Sequence, residues 1–165
     1  LLCGDIRTME RLDGPFDGIV CLWNTFCEMA TTEEEAGHII ALLYHSLKKG
    51  GKFFLEQNIS FDNFNPNNLI FRSSTKQGKR TYEFLFKPIR YKRAVNTTIS
   101  KEHLVVREGG AIIKDVEFKL TQRWWTKEQL TSLCEKAGFS ELKWHGGGFV
   151  PYELNPSSLI LVATK

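Results

Sequence analysis

The hydrophobic and polar positions fall into two rhythms, and the chain changes from one to the other and back again. From Phe16 to Trp23 the apolar positions run together, with Ile19-Val20-Cys21-Leu22 unbroken. A continuous apolar run of strand length predicts burial on both faces, as in a parallel sheet. Over residues 33–48, Ala36, Ile39, Ile40, Leu43 and Leu47 recur at helical spacing. Thr32 and Glu35 have the spacing of a capping box, and Glu33, Glu34 and Glu35 favour the positive end of the helix dipole. Lys48-Lys49-Gly50-Gly51 predicts the helix stop, and Lys52 to Gln57 reads as a second buried strand. Strand, helix and strand with short connections predict one right-handed βαβ unit.

Residues 58–68 are rich in Asn and read as loop. From 69 to 125 the rhythm becomes period two, in Tyr82, Phe84 and Phe86 and again in Val116, Phe118 and Leu120. Glu108-Gly109-Gly110 marks a hairpin within this stretch. The helical rhythm then returns: Thr126 and Gln129 form a second capping-box pattern, Leu130, Leu133, Cys134 and Ala137 form a stripe, and Gly138 closes it. Glu141 to Trp144 is a short strand, Gly146-Gly147-Gly148 and Pro151 lie in the following loop, and Ser158 to Thr164 is the last strand. The expected fold class is α/β. Residues 1–68 and 126–165 form a core sheet of four strands of parallel type, and 69–125 form an antiparallel insertion.

The composition is that of an ordinary soluble domain, with 42% hydrophobic and 25% charged residues. The longest apolar runs are too short to span a bilayer as a helix, and no signal peptide is visible at Leu1-Leu2. Cys3, Cys21, Cys27 and Cys134 have neither metal-ligand nor disulfide-framework spacing, so no metal is expected and the reduced cytoplasm is the expected compartment. The net charge of +3 is unevenly placed: residues 1–71 hold 5 basic and 10 acidic side chains, residues 72–127 hold 14 and 5. A basic middle can attract an anionic ligand, or can simply protect exposed strands from edge-to-edge pairing. No stacking motif of a nucleic-acid module accompanies it, which argues against nucleic acid as a partner.

In open parallel sheets, ligands bind beyond the carboxyl ends of the strands. Three segments reach that edge: Gly4-Asp5-Ile6-Arg7, Trp23-Asn24-Thr25-Phe26 and Glu56-Gln57-Asn58. Taken in order, GDIR, FDGIVCLWNTFCEM, LKKGGKFFLEQ, WTKEQLTSLCEKAGF and SSLILVATK resemble the second half of a class I methyltransferase dependent on S-adenosyl-L-methionine. Within that superfamily the chain is most similar to the small-amine group typified by glycine N-methyltransferase. That group has a strand like CLWNTF, an antiparallel insertion after the GG-strand and a motif like GFVPYE before the last strand. The resemblance implies a partial Rossmann-like sheet, with S-adenosyl-L-methionine as the cofactor. Asp5 and the Ile6 amide would meet the adenine, Leu22 and Trp23 the methionine end, and Asn24 the substrate. Methyl transfer is an in-line displacement governed by alignment, with a base to take the proton of an amine acceptor. Glu56, His103 and His145 are candidates for that base, and Asn24 and Glu56 for the catalytic positions.

Two departures accompany the resemblance. The acid-then-Gly-x-Gly loop after the family's first strand and the acidic residue that holds the ribose are both absent from the sequence. The cluster at Gly146 to Gly148 does not open a helix, so it cannot replace that loop. Asn58 also stands where the glycine-specific enzymes carry an Arg that clamps the carboxylate, and an amide cannot supply a bidentate charged clamp. The expected function is therefore methylation of a small molecule on nitrogen or oxygen, by a chain lacking the cofactor loop. The alternatives are a non-catalytic partner subunit of the same descent and a binding module for an anionic ligand. In the family's sheet the strand from Phe16 to Trp23 pairs on one side with the first strand, so the resemblance implies an open edge along Ile19 to Leu22. The expected partners are accordingly a second copy of the chain or a missing N-terminal segment, besides the small-molecule substrate, with no membrane.

Overall fold

The computed structural model describes residues 3–58 and 70–165. In chain order the strands are β1 (Phe16–Cys21), β2 (Leu47–Asn58), β3 (Phe71–Gln77), β4 (Arg80–Lys92), β5 (Thr97–Glu108), β6 (Ala111–Arg123), β7 (Glu141–His145) and β8 (Ser158–Thr164). The helices are α1 (Thr25–Met29), α2 (Glu33–Ser46) and α3 (Lys127–Ala137). The chain divides into two compact units, Leu1–Phe61 with Arg123–Lys165, and Asp62–Gln122. Arg123, Trp124 and Trp125 thus fall in the first unit. No helix among the described residues is long and apolar enough to cross a membrane.

The first unit holds a four-stranded sheet in the order β1-β2-β8-β7. β1 and β2 are parallel, whereas β8 runs antiparallel to both β2 and β7. This corrects the expectation of a sheet of parallel type: three strands point one way, and the last strand of the chain is inserted between two of them in the other direction. α2 and α3 cover one face, and the core beneath them contains Ile39, Ile40, Phe53, Leu55, Leu130, Leu159 and Leu161. Both capping boxes form, Thr32 with Glu35 and Thr126 with Gln129, because each needs only residues three apart. Gly138 closes α3 with φ 105, and its amide reaches the carbonyls of Cys134 and Glu135. A Cβ there would also sit 3.0 Å from the Tyr44 ring, so backbone and packing both require glycine.

Three expected boundaries move. α2 ends at Ser46, not at the glycines, because Leu47 turns extended, buries its side chain and pairs with Phe16. Lys48-Lys49-Gly50-Gly51 therefore belongs to β2 and is not a helix cap. Gly50 takes φ +76 and donates to the Lys165 carbonyl, and Gly51 accepts from the Lys165 amide, so the pair clasps the last residue. β1 stops at Cys21, which leaves Leu22 and Trp23 in the turn that follows. β1 is not buried on both faces either. Val20 is 66% exposed, because the helices cover only one side of the sheet and β1 forms its edge. Cys21 and Cys134 are buried as small hydrophobes. The expected loop at 58–68 lies, apart from Asn58, outside the described residues.

The second unit is a four-stranded sheet in the order β3-β4-β5-β6. β3 and β4 pair through a turn with Gly78 at φ 60, and β5 and β6 join through Gly109 and Gly110, both at positive φ as a tight hairpin of the expected kind requires. The β4–β5 register slips between Pro88 and Arg90, where the proline has no amide to give to the ladder. Three of its basic side chains pair within this sheet: Arg80 with Glu108, Arg107 with Glu83, Lys101 with Glu117.

Candidate functional site

The carboxyl ends of β1 and β2 lie side by side, and a short turn crosses between them. Trp23 (φ 57) and Asn24 (φ 63) both occupy the left-handed region, which for a bulky aromatic is a strained conformation costing about 1–3 kcal/mol. Local hydrogen bonds hold it in place. The Thr25 amide and hydroxyl both donate to the Leu22 carbonyl, at 3.1 and 2.7 Å, and the Cys27 amide donates to the Asn24 carbonyl at 2.8 Å. Asn24 then bridges the strands: its amide donates to the Glu56 carbonyl at 3.4 Å and its Oδ1 accepts from the Asn58 amide at 2.6 Å. Ser158 of β8 donates to Asn58 Oδ1 at 3.4 Å, which adds a third strand end to the chain of contacts. Trp23 is 83% exposed just beyond the carboxyl end of β1.

Beneath this turn lies a buried polar network. Gln57 is fully buried and donates to the Trp125 carbonyl, while its Oε1 accepts from the Cys27 thiol at 3.2 Å. Trp125, also fully buried, donates from Nε1 to the Ala30 carbonyl at 3.1 Å and tilts against Phe26 at 6.1 Å. The Arg123 guanidinium sits 4.1 Å from the centre of the Trp125 ring and pairs with Glu33 at 3.0 Å. Gln57 thereby holds the middle of α1 through Cys27, and Trp125 holds its carboxyl end through Ala30. Burial pushes the Cys27 thiol well above its ordinary range, so it acts as a neutral donor. The sequence signal for Gln57 was available: Phe53 and Leu55 face the helices, so Gln57 two residues on must do so too.

Asp5 opens a helical turn at Ile6–Thr8, apart from the strand ends in sequence. Its carboxylate takes three contacts from the Arg7 guanidinium, at 2.9, 3.2 and 2.7 Å, and one from the Arg7 amide at 3.0 Å. The side-chain hydrogen bonds from Arg7 lower its pKa to about 2. Arg7 also lies 3.7 Å from Glu35, which ties the turn to the start of α2. Ile6, first in the turn, presents an amide with no intrahelical partner.

The uncovered face of the first sheet carries Glu56, with Ile160 directly opposite it on β8 and His145 opposite Ile160 on β7. Phe149 folds over this row, stacked on His145 at 4.1 Å and on Phe54 at 6.2 Å. The three glycines make that fold-back possible. A Cβ on Gly146 would sit 1.8 Å from the Asn155 carbonyl oxygen and one on Gly147 2.4 Å from the Ser157 hydroxyl, while Gly148 has φ +75. Gly146 and Gly147 serve close packing, and Gly148 serves a left-handed turn. His103 belongs to the second unit, where Nε2 meets Asp115 at 2.6 Å. A shallow cavity of about 250 Å³, lined by Arg11, Leu12, His45 and others, lies at the amino end of β1, away from the Asn24 turn.

No protein-family model and no curated protein sequence matches the chain. Solved structures do. DesVI of Streptomyces venezuelae superposes with a TM-score of 0.77 at 19% identity, over 97% of this chain and 62% of that one. The sugar N-methyltransferase KedS8 of a Streptoalloteichus species gives 0.77 at 15% identity, over 98% and 60%. CalS10 of Micromonospora echinaspora, an amino pentose methyltransferase solved with S-adenosylmethionine bound, gives 0.71 at 21% identity, over 98% and 62%. The fold is that of the class I methyltransferases. The chain spans about three fifths of the length of the solved chains it matches. The glycine-type subgroup is a finer distinction than fold likeness at such identities carries.

Proposed function

We propose that the chain is the C-terminal, acceptor-side part of an S-adenosylmethionine-dependent methyltransferase that modifies a small molecule on nitrogen or oxygen. The observation that carries this reading is the Asn24 turn: a strained, hydrogen-bonded loop at the carboxyl ends of two parallel strands, where the fold family places ligands. The cofactor fits part of what is present. Asp5 and the Ile6 amide offer an acceptor beside a donor on an exposed turn, which complements the amino group and ring nitrogen of an adenine. Leu22 and Trp23 offer exposed apolar surface beyond β1. A glycine loop and a ribose-binding acid would come from elsewhere. When bound, the cofactor supplies an activated methyl group.

The protein's own contribution is alignment and proton handling. Asn24 holds the edges of β1 and β2 at a set spacing and directs Trp23 outward, so an acceptor can be oriented in line with the donor. Glu56 and His145, one strand apart from each other on the uncovered face, are the titratable groups placed to receive the proton an amine must lose. Two of the matched structures, CalS10 and KedS8, are described as acting on an amino pentose and as a sugar N-methyltransferase, and small hydroxylated amines are accordingly the acceptors to test first. The test is mass-spectrometric detection of methyl transfer from S-adenosylmethionine to a panel of amino sugars, with glycine and simple alcohols for comparison, using the product of the complete reading frame. Transfer to amines or hydroxyls supports the proposal. Tight binding of S-adenosylhomocysteine with no transfer to any acceptor would favour a partner subunit.

A further inference from the structure

Two bulky aromatic residues hold left-handed backbone, Trp23 at φ 57 and Phe149 at φ 60, and each lies in the turn that leaves a strand of the first sheet at its carboxyl end, β1 or β7. Such strain persists only where the surroundings over-determine it. At Phe149 they do. The Gly146 amide donates to the Val150 carbonyl at 2.8 Å, and the Phe149 amide donates to the Gly146 carbonyl at 3.0 Å. Asn155 clasps Gly147 through its carbonyl at 2.9 Å and its side-chain amide at 3.0 Å. The loop so fastened sets one ring against two others. Phe149 lies nearly parallel to His145, at 4.1 Å and 11°, and to Phe54, at 6.2 Å and 13°.

We propose that Phe149 is the positioning residue for His145, and that His145 so held is the group that takes the proton of the methyl acceptor. The inference deepens the functional reading above and rests on it. Among the described histidines, His38 and His103 spend Nε2 on protein acceptors, at 3.0 and 2.6 Å, and His45 lines the cavity at the amino end of β1. His145 is held by its face, and neither of its nitrogens has a hydrogen-bond partner among the described residues. A stack fixes the plane of an imidazole while leaving its nitrogen edge free, which is what a base requires. The Glu56 carboxylate shares the uncovered face with one strand between, but nothing among the described residues holds it. In the step itself, the acceptor nitrogen bonds to the methyl carbon as the carbon–sulfur bond breaks and its electron pair stays on sulfur. The N–H proton of the acceptor passes to the free nitrogen of His145, and from the imidazolium to water.

The experiment measures steady-state methyl transfer from S-adenosylmethionine to glucosamine, galactosamine and mannosamine by the product of the complete reading frame. The variants are Phe149→Gly, His145→Gln, the two combined, and Phe149→Tyr. Phe149→Gly removes the ring and relieves the left-handed backbone. It is expected to lower kcat about tenfold, with KM and S-adenosylhomocysteine affinity unchanged. His145→Gln is expected to lower kcat about a hundredfold. The double variant should match His145→Gln, because without the imidazole Phe149 has nothing to position. Phe149→Tyr keeps the stack and should keep the wild-type kcat. Losses that multiply in the double variant, a glycine variant that weakens S-adenosylhomocysteine or acceptor binding as much as turnover, or a tyrosine variant no better than glycine would each overturn the assignment while leaving the functional reading in place. A wild type that methylates none of the three removes the functional reading and the assignment with it. Should circular dichroism show Phe149→Gly unfolded, Phe149→Leu takes its place, with the same expected and contrary results.

Discussion

Replacing Asn24 separates two things the residue does at once. It occupies the left-handed region at φ 63, and its Oδ1 ties the turn to the Asn58 amide at 2.6 Å. Glycine keeps the backbone conformation and loses the bridge, so Asn24→Gly is expected to cost about 0.5–1.5 kcal/mol, the net worth of one hydrogen bond. Alanine loses the bridge and also pays for a Cβ in the left-handed region, about 1 kcal/mol more. Asn24→Asp retains the acceptor and is expected to be near neutral. The predicted order of stability is wild type and Asp, then Gly, then Ala, read as midpoints of urea unfolding at constant slope. In the complete protein, Asn24→Ala is expected to depress turnover or raise the acceptor KM while S-adenosylhomocysteine binding stays nearly intact. An alanine variant as stable as the glycine variant would refute the backbone argument. Equal losses for acceptor and S-adenosylhomocysteine would show that Asn24 only shapes the loop.

Gln57→Leu is expected to destabilise by about 1–3 kcal/mol despite its apolar surroundings, because the buried Trp125 carbonyl and Cys27 thiol lose their partner. Thermal unfolding checks it, and a neutral result would remove the network from the account. Burial raises the thiol pKa to about 11 at Cys21 and about 12 at Cys134, and higher still at Cys27. Unfolded thiols ionise near pH 8.5 while the folded ones stay neutral, so the native state binds more protons there and stability falls as pH rises above about 8.5. Denaturant titrations between pH 7 and 10 measure this, and a stability flat across that range would contradict it. In the folded protein, exposed Cys3 is expected to react with a thiol reagent far ahead of the other three.

Features that depend on near neighbours in the chain were legible in advance. Both capping boxes, the Gly138 stop and the Gly109-Gly110 hairpin each follow from a few residues, and period two in Tyr82 to Phe86 marked the second sheet as antiparallel. Features that depend on what lies across the sheet were less so. The run Ile19 to Leu22 reads as doubly buried, yet whether its second face is covered depends on residues outside the run, and Val20 stands exposed. Lys48 to Gly51 has the composition of a helix cap, but the pull of Leu47 into the core and the clasp on Lys165 are long-range. Strand-end logic singles out Asn24, Glu56 and Asp5, and the structure joins Asn24 to the Glu56 backbone and sets Asp5 on a separate turn, but neither the positive φ of Trp23 and Asn24 nor the buried role of Trp125 leaves a local signature. In the sequence Asp5 reads as a ligand acceptor. Its pairing with Arg7 two residues on was equally readable and changes what it has left to offer.

The central claim, that the Asp5 turn and the end of β1 belong to an S-adenosylmethionine site, meets its most direct test in calorimetric titration of S-adenosylhomocysteine into the product of the complete reading frame, as wild type and as Asp5→Ala. The account predicts binding by the wild type and a weaker affinity in the variant, because the adenine amino group loses its acceptor. Absence of binding, or an affinity that Asp5→Ala leaves unchanged, would contradict it.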